Sequence, residues 1–139
     1  CAWVPETLER LDLAWKRISS GAVGEFQFAE GVTTPEPPSF YAKQNCYYGA
    51  SSASPPEIKD RDIIGTDRIL WGSDYPHPEG TWPITPEQMH NSLDGLPDLD
   101  IEAILGRNAI EFYGLDEKDL IPHAERIGPA RDSFQSNKA

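Results

Sequence analysis

Apolar side chains recur at helical spacing near the start of the chain, where Leu8, Leu11, Trp15 and Ile18 fall on one face. The spacing predicts a helix over 4–18. Pro5 suits its first turn, Glu6 favours its positive end, Lys16 and Arg17 lie in its last turn, and Gly21 can end it. Trp3 and Trp15 read as core anchors. Residues 19–40 carry no clear period, and Thr33-Thr34-Pro35-Glu36-Pro37-Pro38 reads as extended or looped. A turn of helix is expected over 41–44. The pattern then changes to short runs. Asn45-Cys46-Tyr47-Tyr48-Gly49-Ala50 is aromatic-rich and reads as a strand. Pro55-Pro56 opens a short helix with Ile58, Ile63 and Ile64 available to the core, and Gly65 ends it. The run Ile69-Leu70-Trp71 within 68–73 reads as a buried strand. Strand, helix and strand in this order predict parallel pairing through a right-handed crossover, an α/β arrangement.

Further on, Thr85 and Pro86 mark a helix start, as N-cap and first helical residue, and that helix is expected to reach about Leu93. A second helical region begins near Asp98 or Asp100, with Ile101, Ile104, Leu105, Ala109 and Phe112 as its apolar stripe. Gly106-Arg107-Asn108 reads as a break, with Asn108 capping a last helix that Gly114 ends. Arg107 reads as solvated or paired with a carboxylate. Beyond Leu115 the pattern fades, and 116–139 is expected to be an irregular tail.

The most informative stretch is Ile69-Leu70-Trp71-Gly72-Ser73-Asp74-Tyr75-Pro76-His77-Pro78. A buried strand runs into Gly72-Ser73 and then presents Asp74, Tyr75 and His77 on a loop that Pro76 and Pro78 stiffen on either side of His77. Gly72 reads as the position of close backbone approach. A carboxylate at the C-terminal tip of a buried strand stands where a (β/α)8 barrel keeps its catalytic groups. Taken without its context, Asp74-Tyr75-Pro76 equally fits an ordinary Asx turn.

The order of this stretch, followed by Ile104-Leu105-Gly106-Arg107-Asn108-Ala109-Ile110-Glu111-Phe112-Tyr113-Gly114-Leu115, resembles the end of the amidohydrolase-related family. Those metal-dependent barrels include nonoxidative decarboxylases of the aminocarboxymuconate-semialdehyde type. Trp3-Val4-Pro5 with Leu8-Glu9-Arg10-Leu11-Asp12 resembles the family's helix before its seventh strand. The resemblance implies that residues 1–115 form the C-terminal part of a TIM barrel, about two parallel strands with their helices. It implies a divalent metal, usually zinc, and Asp74 as the carboxylate that ligates the ion or handles the proton. His77 matches a loop position facing the site, where it binds substrate or stands as a surface histidine; Tyr75 and Trp82 could line a pocket for the substrate and equally fit packing roles. The substrate class implied is a carboxylic acid, or an amide or ester.

Length qualifies that implication. A complete barrel takes about 250 residues, and this chain has 139, beginning at Cys1. Its histidines are His77, His90 and His123, none in a His-x-His pair. The chain is therefore expected to be the C-terminal piece of an enzyme, inactive without the N-terminal part of the barrel. The alternatives are a non-catalytic fragment and a module that self-associates through open strand edges, giving a homo-oligomer.

Composition narrows the remaining classes. With 13 Pro and 11 Gly the chain is loop-rich. The net charge of −11 argues against nucleic acid, whose phosphates require Lys and Arg. No apolar run approaches the ~20 residues of a membrane span. Cys1 and Cys46 are too few for a disulfide framework and lack zinc-finger spacing, which fits a reducing cytoplasm.

Overall fold

The structure, a computed structural model, describes residues 1–24, 26–51 and 53–130. It divides into two compact units, one of residues 2–46 and one of Cys1 with residues 47–139.

The first unit is organised by helix α1 (Trp3–Ser19), as its apolar period predicts. Trp15 is half-buried and donates its indole N–H to the Thr34 carbonyl at 2.9 Å. Trp3 is 63% exposed, so it does not anchor a core within this chain. The aperiodic stretch holds a short antiparallel hairpin, β1 (Ala22–Val23) with β2 (Phe26–Gln27). Gly24, at φ 59°, supplies the left-handed conformation that the turn requires. Helix α2 (Pro38–Asn45) is longer than the turn expected over 41–44. Its start is fixed from α1: Asp12 Oδ1 accepts the Ser39 N–H at 2.9 Å, satisfying a donor the helix itself cannot. Asn45 belongs to this helix, where its Nδ2 donates to the Tyr41 carbonyl at 2.9 Å. The strand expected from Asn45 therefore begins three residues later.

The second unit is built on two parallel strands. Strand β3 (Tyr48–Ser51) pairs with β4 (Ile69–Gly72) in the register Tyr48↔Ile69, Gly49↔Leu70, Ala50↔Trp71 and Ser51↔Gly72. Between them lie α3 (Pro55–Lys59) and α4 (Arg61–Ile64), two short helices in place of one. Ser54 starts α3, its N–H donating to Glu57 Oε2 at 2.8 Å in a capping box. Ile58 and Ile64 are buried, whereas Ile63 is 55% exposed. Gly65, at φ 101°, ends α4.

Alternation along the strands separates two faces. Ala50 and Ile69 are buried with Ile58, Ile64, Leu93 and Ile104 in one core. Gly49, Ser51, Leu70 and Gly72 form the other face, on which Gly49 and Ser51 are exposed. Mixed helices around a parallel pair make this unit an α/β structure.

Helix α5 (Thr85–Leu93) starts one residue earlier than expected. Thr85 is its first residue rather than its cap, because the hydroxyl is engaged with Thr81. Ser92 of α5 hydrogen-bonds the Ala53 carbonyl and ties the helix to the loop after β3. Helix α6 (Asp98–Glu102) continues without a break through a π turn at Ala103–Arg107 into α7 (Asn108–Tyr113). Gly106 thus accommodates a wider turn instead of stopping the helix, and Arg107 pairs with Glu102 at 2.5 Å. Asn108 is not a cap. It is buried, and its Nδ2 donates to the carbonyls of Thr66 and Ile69, each at 2.8 Å. Gly114, at φ 62°, closes α7 in a Schellman motif, with Leu115 N–H donating to Ile110 O and Gly114 N–H to Glu111 O.

The tail expected to be irregular from residue 116 instead carries α8 (Glu117–Ile127). Asp116 caps it by accepting the Lys118 N–H at 2.9 Å, and Glu117 and Asp119 suit its positive end. Those cap residues were the available signal, and the fading apolar pattern with Pro122 masked it. No residue of α8 is buried. The remainder of the expected tail, residues 131–139, lies outside the described residues.

Candidate active site

Strand β4 ends at Gly72, and the chain then turns sharply at Asp74, whose φ is 58°. Asp is among the few non-glycine residues that tolerate this left-handed region. A β-turn follows over Asp74–His77, closed by His77 N–H to Asp74 O at 2.8 Å, with a cis Tyr75–Pro76 peptide at its centre. A second turn over His77–Gly80 has Pro78 at its second position and closes through Gly80 N–H to His77 O at 2.9 Å. The loop then returns to its origin: Thr81 N–H donates to Ser73 O at 2.9 Å.

This geometry brings the three sequence-predicted residues onto one loop at the C-terminal end of a parallel strand. Asp74 Oδ2 and His77 Nδ1 face each other at 3.7 Å. That exceeds a direct hydrogen bond and suits bridging by a third atom. Both side chains are open, 44% and 58% exposed, and available to a ligand. His77 Nδ1 also lies 3.4 Å from the Glu79 N–H. Tyr75 and Trp82 are exposed and lie edge to face, ring centroids 6.2 Å apart, as one aromatic flank of the loop. The arrangement presents a carboxylate able to accept or return a proton, an imidazole able to hydrogen-bond a polar group, and an aromatic surface beside them.

Two residues that shape the loop had not been singled out. A Cβ placed on Gly80 would meet the carbonyl oxygens of Ser73, Asp74 and His77 at 2.8, 2.9 and 3.0 Å. Close approach therefore occurs at Gly80. At Gly72, assigned that role from sequence, the nearest atom, Ser51 Oγ, would stand at an ordinary 3.4 Å. Thr81 is 3% exposed, and its hydroxyl reaches Ser73 O at 3.3 Å and Thr85 Oγ1 at 2.9 Å. Pro at the second and Gly at the fourth position of a turn was the sequence signal for Gly80. Nothing local marks Thr81 as buried.

His90 lies in α5 and His123 in α8. Among the described residues no group of three or more His, Cys, Asp or Glu side chains is placed to hold a metal ion.

Residues 34–115 match the family model described as Amidohydrolase. The chain belongs to the amidohydrolase family. The matched segment begins before α2, contains both parallel strands and the Asp74 loop, and ends one residue after the glycine that closes α7. The chain is also similar to the 2-amino-3-carboxymuconate-6-semialdehyde decarboxylase of Dictyostelium discoideum, at 36% identity over 55 residues. That alignment covers 40% of this chain and 15% of the relative's length. No described helix is long and apolar enough to cross a membrane.

Proposed function

We propose that this chain is the C-terminal part of a TIM-barrel amidohydrolase-family enzyme, a metal-dependent hydrolase or nonoxidative decarboxylase, and that it supplies the last-strand carboxylate, Asp74. The observation that carries the reading is the position of Asp74, on a turn at the C-terminal tip of a parallel strand, where α/β enzymes place their reacting groups. The named activity of the Dictyostelium relative favours decarboxylation of an unsaturated carboxylic acid over hydrolysis of an amide or ester. In this reading Asp74 Oδ accepts a proton and returns it to the substrate. His77 hydrogen-bonds a polar substrate group, and Tyr75 lies against its unsaturated part. Two free cysteines, Cys1 and Cys46, fit a reducing cytoplasm.

The metal tests how much of the site this chain contains. A catalytic zinc takes three protein ligands and an open position. Asp74 and His77 offer at most two, so the residues present do not fit a closed site, and the ion requires ligands from the rest of the barrel. The chain alone is accordingly inactive. Calorimetric titration of the isolated chain with zinc should show only weak surface binding. Stoichiometric tight binding would overturn the missing-ligand argument.

A second reading, a self-associating module, is favoured by the parallel sheet itself, in which β3 and β4 pair only with each other among the described residues. Unpaired edges template pairing with another chain. Light scattering of the isolated chain at low concentration should then give a mass above one chain, and a cooperative monomer would exclude the module.

A further inference from the structure

We infer that Gly80 and Thr81 form a backbone clamp that sets where the Asp74 carboxylate points, making Thr81 a positioning residue for the reaction. The inference rests on the proposed catalytic role of Asp74. A non-glycine residue at positive φ is uncommon and persists only where its surroundings over-determine it. At φ 58°, Asp74 meets that description. Its side chain is 44% exposed, so packing cannot fix its direction, and the backbone must.

The two peptide groups flanking Asp74 are the ones its φ and ψ rotate, and both are pinned. On the N-terminal side the Ser73 carbonyl accepts from the Thr81 N–H at 2.9 Å and from the Thr81 hydroxyl at 3.3 Å. On the C-terminal side the Asp74 carbonyl accepts from the His77 N–H at 2.8 Å, and the His77 carbonyl accepts from Gly80 N–H at 2.9 Å. Gly80 fills the centre of this ring, with three carbonyl oxygens at 2.8–3.0 Å from the site a Cβ would take. Its φ is not in the left-handed region, so space rather than conformation requires glycine there. Thr81 is buried, and its hydroxyl is held by Thr85 Oγ1 at 2.9 Å. The hydroxyls of Thr85 and Thr81 thus link α5 to the Ser73 carbonyl. Helix α5, anchored at its far end by the fully buried Leu93, becomes the fixed point to which the carboxylate is referred.

The test uses the full-length enzyme carrying this chain, with Thr81→Val, Thr81→Ser, Gly80→Ala and Asp74→Asn compared by kcat, KM, melting temperature and amide exchange at His77. Thr81→Val keeps shape and the backbone N–H but removes the hydroxyl. It should lower kcat about tenfold at nearly unchanged KM and melting temperature, and speed exchange of the His77 amide. Thr81→Ser should restore kcat. Gly80→Ala should lower kcat about 100-fold, the scale expected when a catalytic group moves by an ångström. Should Gly80→Ala fail to fold, the Thr81 pair decides alone. An inactive Asp74→Asn beside a Thr81→Val enzyme of unchanged kcat would overturn the clamp and leave the Asp74 assignment standing. An active Asp74→Asn enzyme would remove both.

Discussion

On the proposed reading, in which Asp74 serves a longer enzyme, Asp74→Asn should lower turnover by at least about 100-fold while the fold is retained. General acid–base groups typically contribute 10²- to 10⁴-fold, and the amide cannot accept the proton that the carboxylate oxygen accepts. The substitution is a clean one here for a structural reason. Asn tolerates the left-handed backbone region as well as Asp does, so the turn at φ 58° is kept. The side chain is half exposed, and no buried partner is orphaned by the change. Steady-state kinetics give the loss, and far-UV circular dichroism establishes that the fold survives. Metal content measured on the same sample separates two roles for Asp74. It falls little if the carboxylate only moves a proton, and substantially if it ligates the ion. An Asp74→Asn enzyme with wild-type turnover would take the catalytic assignment away.

The largest effect on stability is expected at Asn108. Its side chain is 2% exposed and spans from α7 to the Thr66 and Ile69 carbonyls. Asn108→Ala removes both donated bonds; the Thr66 carbonyl keeps the Ile69 N–H, and the Ile69 carbonyl loses a buried donor. Losing two buried hydrogen bonds, at about 0.5–1.5 kcal/mol each, should lower stability by roughly 1–3 kcal/mol in urea denaturation. Asn108→Asp keeps the volume and replaces two N–H donors by a carboxylate facing carbonyl oxygens. It should be at least as destabilising as Asn108→Ala. A nearly neutral Asn108→Asp would mean that the residue acts by filling space, and would sink the hydrogen-bond account.

Where a side-chain pattern repeats, the chain was legible from its letters. The period of Leu8, Trp15 and Ile18 located α1, and the run Ile69-Leu70-Trp71 located β4 and its parallel pairing with the preceding strand. The site was legible to the extent that Asp74, His77 and Tyr75 follow that strand within a proline-rich loop. The misses share a physical origin, which is competition between groups, some near and some distant in sequence, for one residue. Thr85 has the character of a cap, yet its hydroxyl is taken by Thr81. Asn108 follows Gly106 as a cap would, yet its amide is drawn to the Thr66 and Ile69 carbonyls. Asn45 precedes two tyrosines as a strand residue would, yet the preceding turn of α2 holds it. Thr81 was missed because its role lies in reaching back eight residues to Ser73, and Gly80 because its turn signal does not reveal the crowding by the Ser73 and Asp74 carbonyls.

The face of the sheet opposite the core also has a consequence for volume. Its positions are Gly49, Ser51, Leu70 and Gly72, and toward the Asp74 end they are Ser51 and Gly72. Barrel interiors are ordinarily filled by layers of bulky branched side chains. Closed over by further strands, this sector would contribute a hydroxyl and a hydrogen atom at the layer nearest the carboxylate. On the proposed barrel reading this would leave room beneath Asp74, with Leu70 in the next layer down.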